Sequence, residues 1–203
     1  MISYFSNELT TTRQISDLRF GIPIILGSNG TYEMIIAIEP LNEETFQKIL
    51  EYNKSSDLKP YLAITKNRAN FLKARVYDGN IARLKLPTPI SFNWIKSTAD
   101  PSEDFEYPLK GPYYSLREGN SNISKVAINF CKKAELLPAA LIVPINSKEL
   151  TELKKSGFIY QKISKNFDTK RSSDNLSLIS SGRVPIPGGL NSKVSVFRDL
   201  NSL

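Results

Sequence analysis

Glu33 and Glu39 stand in one isoleucine-rich run at an even separation of six, so on a strand they would share a face and could hold a cation between them. The plainer reading, a solitary carboxylate beside a solvated one, needs no metal and is preferred. Lys110, Arg117 and the amides near Ser121 precede an expected helix, and a helix start of that kind can bind an anion with no catalytic group present. Cys131 is the only cysteine and there is no histidine, so a zinc site of the usual ligands is excluded. On the apolar face of its helix, Cys131 reads as a small hydrophobe rather than a nucleophile. "YDGNIARL" from Tyr77 is a turn and lacks the spaced acids of a calcium loop.

These residues need elements to position them. In "NSNISKVAINFCKKAELLPAALIVPIN", Asn120 to Asn146, the apolar residues Ile123, Val126, Ala127, Phe130, Cys131 and Ala134 recur at helical spacing. Ser121 or Asn122 would cap that helix, with Lys132 and Lys133 favouring the negative end of its dipole. Pro138 ends the helical option, and Ala139 to Val143 is a continuous apolar run, expected to be a strand buried on both faces. Upstream, Thr12 to Arg19 predicts a short helix stopped by Gly21. "IPIILG" and "EMIIAIE" predict strands joined by a hairpin turn in "GSNGT". Asn42 would cap a helix carrying Phe46, Ile49 and Leu50. "YLAIT" predicts another strand, followed by a helix holding Ala69 and Leu72. Arg75 to Tyr114 is proline-rich and reads as irregular with short strands, and a further helix is expected near Ser147 to Lys155.

The chain has 203 residues, 40% hydrophobic and 23% charged, the balance of an ordinary globular protein. Its net charge of +7 comes from lysines interspersed with serine, asparagine and acids, without interleaved aromatics, so neither nucleic acid nor membrane is an expected partner. No stretch approaches the roughly twenty apolar residues of a membrane span, and "MISYFSNELT" has no signal-peptide pattern, so a cytoplasmic location is expected.

"ISDLRFGIPIILGSNGTYEMIIAIEPLNEET", from Ile15 to Thr45, resembles the opening of 3,4-dihydroxy-2-butanone 4-phosphate synthase. "YLAITKNRANFL", "ARLKLP" and "ISKVAINFCKKAELLPAALIVPI" follow as ordered matches to later landmarks of that family. The likeness is to the amino-terminal half of the two-part riboflavin proteins, in the form where a degenerate half precedes GTP cyclohydrolase II. It implies an α/β (α+β) fold, a mixed sheet flanked by helices. In the family, the first loop carries an arginine and acids that bind sugar phosphate and magnesium. The matching positions here are Ser28, Asn29, Thr31 and Glu33, of which only Glu33 keeps a charge. The family's Gly-His-Thr-Glu falls on Asn122, Ile123, Ser124 and Lys125, its loop cysteine on Tyr61, and its long substrate loop on the shorter "STADPSEDFEYP" from Ser97 to Pro108.

The resemblance therefore implies vestigial site positions at Ser28, Asn29, Glu33, Tyr61, Ile123, Ser124 and Lys125. It implies no catalytic residue, no metal ligand and no cofactor. "SGRVPIPGGLNSKVSVFRDLNSL", from Ser181 to Leu203, resembles the entry to the GTP cyclohydrolase II module. The expected organisation is a synthase-like domain over 1–164, a linker over 165–180, and the truncated start of that module over 181–203. The reading is a silent scaffold or regulatory domain of a riboflavin-pathway protein, with an enzyme of that pathway as the alternative. "KVSVFRD" would pair with an edge of its own domain or of a second copy. A homodimer and a separate GTP cyclohydrolase II chain are the expected partners.

Overall fold

The computed structural model describes residues 2–53, 58–163, 176–185 and 192–199, and the chain divides into two compact units, Met1–Phe167 and Asp168–Leu203. In the first unit, α1 (Ile2–Arg19) leads into β1 (Ile24–Ser28) and β2 (Thr31–Ala37), then α2 (Glu43–Asn53), β3 (Tyr61–Thr65), α3 (Lys66–Phe71) and β4 (Ile81–Lys85). After α4 (Phe92–Ala99) and a short 3₁₀ turn at Pro101–Asp104 come α5 (Asn122–Lys133), β5 (Ala139–Ile145), α6 (Ser147–Lys155) and β6 (Tyr160–Lys162). The six strands form one sheet in the order β4-β3-β5-β2-β1-β6. Every neighbouring pair is antiparallel except β1 and β6, which run parallel. This is the expected mixed sheet flanked by helices.

Strand alternation sends side chains into two cores, one on each face. Met34 and Ile36 of β2, Leu62 and Ile64 of β3, and Leu141 and Val143 of β5 meet Phe46 and Ile49 of α2, Ile95 of α4 and Leu150 of α6. Their neighbours Ile35, Ala37, Ala63, Ala140 and Ile142 face the other way, against Leu18 of α1 and Ile123, Val126, Ala127 and Phe130 of α5. Because helices cover both faces, the strands read as unbroken apolar runs. The hairpin turn between β1 and β2 is made by Asn29 at φ 50° and Gly30 at φ 83°, left-handed at both positions as a tight two-residue turn requires.

Local signals were followed in several places and overridden in others. Asn42 accepts from Thr45 N at 2.8 Å, as its capping role predicts. Asn146 and Glu149 form a reciprocal capping box on α6. Ser121 precedes α5 but makes no side-chain cap bond; Asn120 Oδ1 instead accepts from Asn122 N at 2.9 Å. Helix α1 begins at Ile2, not Thr12. Thr10 to Thr12 favour helix weakly, and the burial of Gln14 and Leu18 against the unit anchors what propensity does not. Helix α4 was not anticipated in the proline-rich stretch, although Ser91 caps it by accepting from Trp94 N at 3.1 Å.

Arg68 of α3 ties this stretch to the sheet. Its guanidinium donates to both carboxylate oxygens of Asp104, at 2.6 and 2.7 Å, and to the carbonyls of Ser97, Thr98 and Asp100. Lys110 Nζ pairs with the same carboxylate and donates to Ser97 O at 2.7 Å. The Arg68 hydrogen bonds, joined by Lys110, hold the Asp104 carboxyl down at about 2. "STADPSEDFEYP", expected as a shortened substrate loop, thus ends one helix, forms a 3₁₀ turn and closes an ion-pair network.

In the second unit, β7 (Leu176–Arg183) and β8 (Lys193–Asp199) form an antiparallel pair with a register shift between Leu178 and Ser180. "KVSVFRD" is β8 and pairs with β7 of the same unit, a strand not anticipated as its partner. Residues 176–180, expected to belong to a linker, are the first part of β7; the rest of that expected linker, 165–175, lies outside the described residues. Among the described residues, no helix is long and apolar enough to cross a membrane.

Replacing Asp104 with Ala leaves two nearly buried cations without their shared anion. D104A is expected to lose about 3 kcal/mol or more of stability, read from the urea unfolding midpoint.

Candidate functional site

The alternation that places Ile35 and Ala37 against α5 also turns Glu33 of β2 to that face. In the same way Tyr61 of β3 and Arg83 of β4 share the face of Ala63 and Ile81. Glu33 and Tyr61 lie opposite Pro144 and Ile142 of β5, respectively, so the Tyr61 ring reaches over the intervening strand. Its hydroxyl lies 3.0 Å from Glu33 Oε1, as donor, and 3.0 Å from Ser124 Oγ in the first turn of α5. With the phenol proton given to Glu33, the Ser124 hydroxyl is the donor in the second bond.

Burial sets the electrostatics of this chain of groups. Desolvation pushes the Glu33 carboxyl up to about 7, against smaller opposing effects of the Tyr61 bond and the Arg83 charge. Desolvation also drives the Tyr61 phenol well above its ordinary range, so it stays protonated. Arg83 is committed elsewhere: it donates to both Asp78 oxygens, at 2.8 and 3.1 Å, and to Glu118 O at 2.9 Å, fixing the turn before α5. Glu33 Oε2 is buried with no hydrogen-bond partner among the described residues. Gln161 Oε1 is likewise unpartnered, and it sits in the same cross-strand row, since Leu26 is paired with both Glu33 and Gln161.

Of the residues singled out from the sequence, the structure brings together Glu33, Tyr61 and Ser124. Ser28 and Asn29 serve the hairpin, where Ser28 O accepts from Thr31 Oγ1 at 2.6 Å. Ile123 is a core residue in the first turn of α5, and Lys125 follows it at a half-exposed position of the helix. Lys110, Arg117 and Ser121 do not assemble as an anion site: Lys110 is taken up by Asp104, and the Arg117 guanidinium lies 4.9 Å over the Tyr77 ring. Glu39 is also spent, accepting from Leu137 N at 2.6 Å, so it does not join Glu33. Cys131 is fully buried and its thiol is pushed up to about 12 by burial, in keeping with a packing role. Arg83 was missed from the sequence; an arginine between the apolar Ala82 and Leu84 in "IARLK" was the available signal.

No protein-family model matches the chain, and no curated protein matches it. Solved structures do. A two-domain 3,4-dihydroxy-2-butanone 4-phosphate synthase from A. baumannii aligns at TM-score 0.51 and 12% identity, covering 93% of this chain and 66% of its own. The chain therefore spans just under two thirds of that protein. A 3,4-dihydroxy-2-butanone 4-phosphate synthase of Candida albicans aligns at TM-score 0.54 and 15% identity, over 74% of this chain and 92% of its own. A synthase in complex with two magnesium ions aligns at TM-score 0.52 and 12% identity, over 74% and 91%. The fold is that of 3,4-dihydroxy-2-butanone 4-phosphate synthase.

The residues here do not fit a divalent cation. Magnesium binding draws on carboxylate and other oxygen donors in a near-octahedral shell. Glu33 instead faces a phenol and a hydroxyl and lies in the field of the Arg83 guanidinium. Among the described residues no group of three or more His, Cys, Asp or Glu side chains could hold a metal.

The raised Glu33 value also predicts a pH effect. An unfolded glutamate ionises near 4.5, whereas the folded chain holds this proton to about 7, so the stability it confers is full below 4.5 and lost as pH rises through 7. E33Q keeps an acceptor for Tyr61 without the buried charge. It is expected to be more stable than the parent by on the order of 2 kcal/mol at about pH 8, with the advantage vanishing towards acid pH in thermal melts.

Proposed function

We propose that residues 1–164 form a synthase-fold domain without synthase activity, a scaffold or regulatory element of a riboflavin-pathway protein of the GTP cyclohydrolase II type. The observation that carries the proposal is the closed chain from Glu33 through Tyr61 to Ser124. Enolising a pentulose phosphate calls for a base free to take a proton and for positive charge at the developing enediolate. Here the one carboxylate is engaged by a phenol that does not ionise, and the neighbouring cation is bound to Asp78. Ile123, where the family has its histidine, cannot move a proton. The fold likeness to the synthases supports the pathway assignment, and the sequence resemblance of residues 181–203 supports the cyclohydrolase parentage.

A second reading, a residual enzyme, is favoured by one fact: a carboxyl poised near 7 with an unpartnered oxygen has the acidity of a general base. Incubation with ribulose 5-phosphate and magnesium separates the two. The expected outcome is no dihydroxybutanone phosphate, and no formate from GTP; turnover that disappears in E33Q would establish the second reading instead.

The proposed partners are a second copy of the chain and a separate GTP cyclohydrolase II. Support comes from the β7–β8 pair, where Leu178, Val194, Val196 and Phe197 are each about half exposed on a two-stranded antiparallel pair, marginal by itself in water. Light scattering is expected to give a dimer for the full chain and a monomer for the V194E/V196E variant.

A further inference from the structure

A cavity of about 810 Å³ opens where β3 begins and β4 ends. Its walls come from four places in the chain: Leu50 of α2, Tyr61 at the start of β3, Leu86 and Ile90 after β4, and Leu116 ahead of α5. The Leu116 wall is hydrogen-bonded to the sheet, since Lys85 N donates to Tyr114 O at 2.8 Å and Leu116 N to Arg83 O at 2.7 Å. Prolines at 87 and 89 stiffen the opposite wall. The cavity is thus preformed, and its volume lies within the range of small-molecule sites, about 300–1,000 Å³.

Its chemistry is uneven in an informative way. The described lining is largely apolar, with Asn53 and Thr88 as neutral polar residues, two lysines, Lys59 and Lys85, and no carboxylate. Both lysines are exposed, and no acid pairs with either among the described residues. A polyhydroxylated sugar phosphate would find Asn53 and Thr88 as neutral polar side chains beside the lysines, and its remaining hydroxyls would lie against leucine, isoleucine and proline and lose their hydrogen bonds to water. An apolar body with a single anionic head meets no such cost: the body is removed from water and the head stays at the wet rim beside the lysines.

We propose that this cavity binds a small amphiphilic organic anion, with its hydrocarbon or aromatic body against Leu50, Leu86, Ile90 and Leu116 and its acidic head held by Lys59 and Lys85. The site stands apart from the synthase reading, because none of its ligand contacts requires Glu33, Ser124 or a metal. Tyr61 is the one residue common to both places.

Isothermal titration of the full chain with decanoate and with indole-3-propionate, each below its aggregation limit, tests the assignment against ribose 5-phosphate and inorganic phosphate. At least one of the two amphiphiles is expected to saturate a single site, while the two polar phosphates give no heat of binding. K85E is expected to weaken that binding by about tenfold or more, K85R to restore it, and both to melt as the parent does. L116D supplies a second variant, placing a like charge in the apolar wall. Failure of both amphiphiles to bind, tighter binding of ribose 5-phosphate, or unchanged affinity in both K85E and L116D would overturn the proposal.

Discussion

The first unit depends on β5 being enclosed on every side. It lies between β3 and β2, so both of its edges are hydrogen-bonded, and helices cover both of its faces. Leu141 and Val143 go to one core and Ala140 and Ile142 to the other, all fully removed from water. A strand in that position has no tolerance for slippage, because a one-residue shift would exchange the two cores. Each other strand takes its register from β5, directly or through β2 and β3.

That register brings polar groups beneath α5. Glu33, Tyr61 and Arg83 come from three strands, yet all occupy the face on which α5 lies, and Ser124 enters from above. A buried polar group must find a partner or lose its charge. Arg83 finds Asp78 and the carbonyls before α5; Tyr61 and Ser124 find each other; Glu33 keeps its proton to about 7. The result is a site whose groups are spent largely on one another. Gln14 of α1, fully buried with both amide atoms unpartnered among the described residues, adds to the polar content on this side of the sheet.

On the far side of β3, the Arg68 network does different work. Five hydrogen bonds from one guanidinium, with Lys110 beside it, gather the end of α4 and the 3₁₀ turn onto α3. A stretch that resembles a shortened substrate loop is held as a fixed wall. One face of the sheet thus carries the Glu33–Tyr61–Ser124 chain, and the α3–α4 side is braced by the Arg68 network.

The sequence by itself determined much of the scaffold. Its apolar runs fix which segments are buried strands, Asn29 and Gly30 fix the hairpin, and Asn42 and Asn146 start two of the helices, because these are local preferences written in neighbouring residues. Glu33, Tyr61 and Ser124 were singled out through resemblance alone. Their mutual contact was not, since it depends on strand order and on a ring reaching across β5. Nor could the sequence assign Lys110 to Asp104 rather than to the start of α5, extend α1 to Ile2, or give "KVSVFRD" its partner. Each of those outcomes is settled by which charges and surfaces meet after folding, and a linear reading of spacing carries no information about groups brought together from distant parts of the chain.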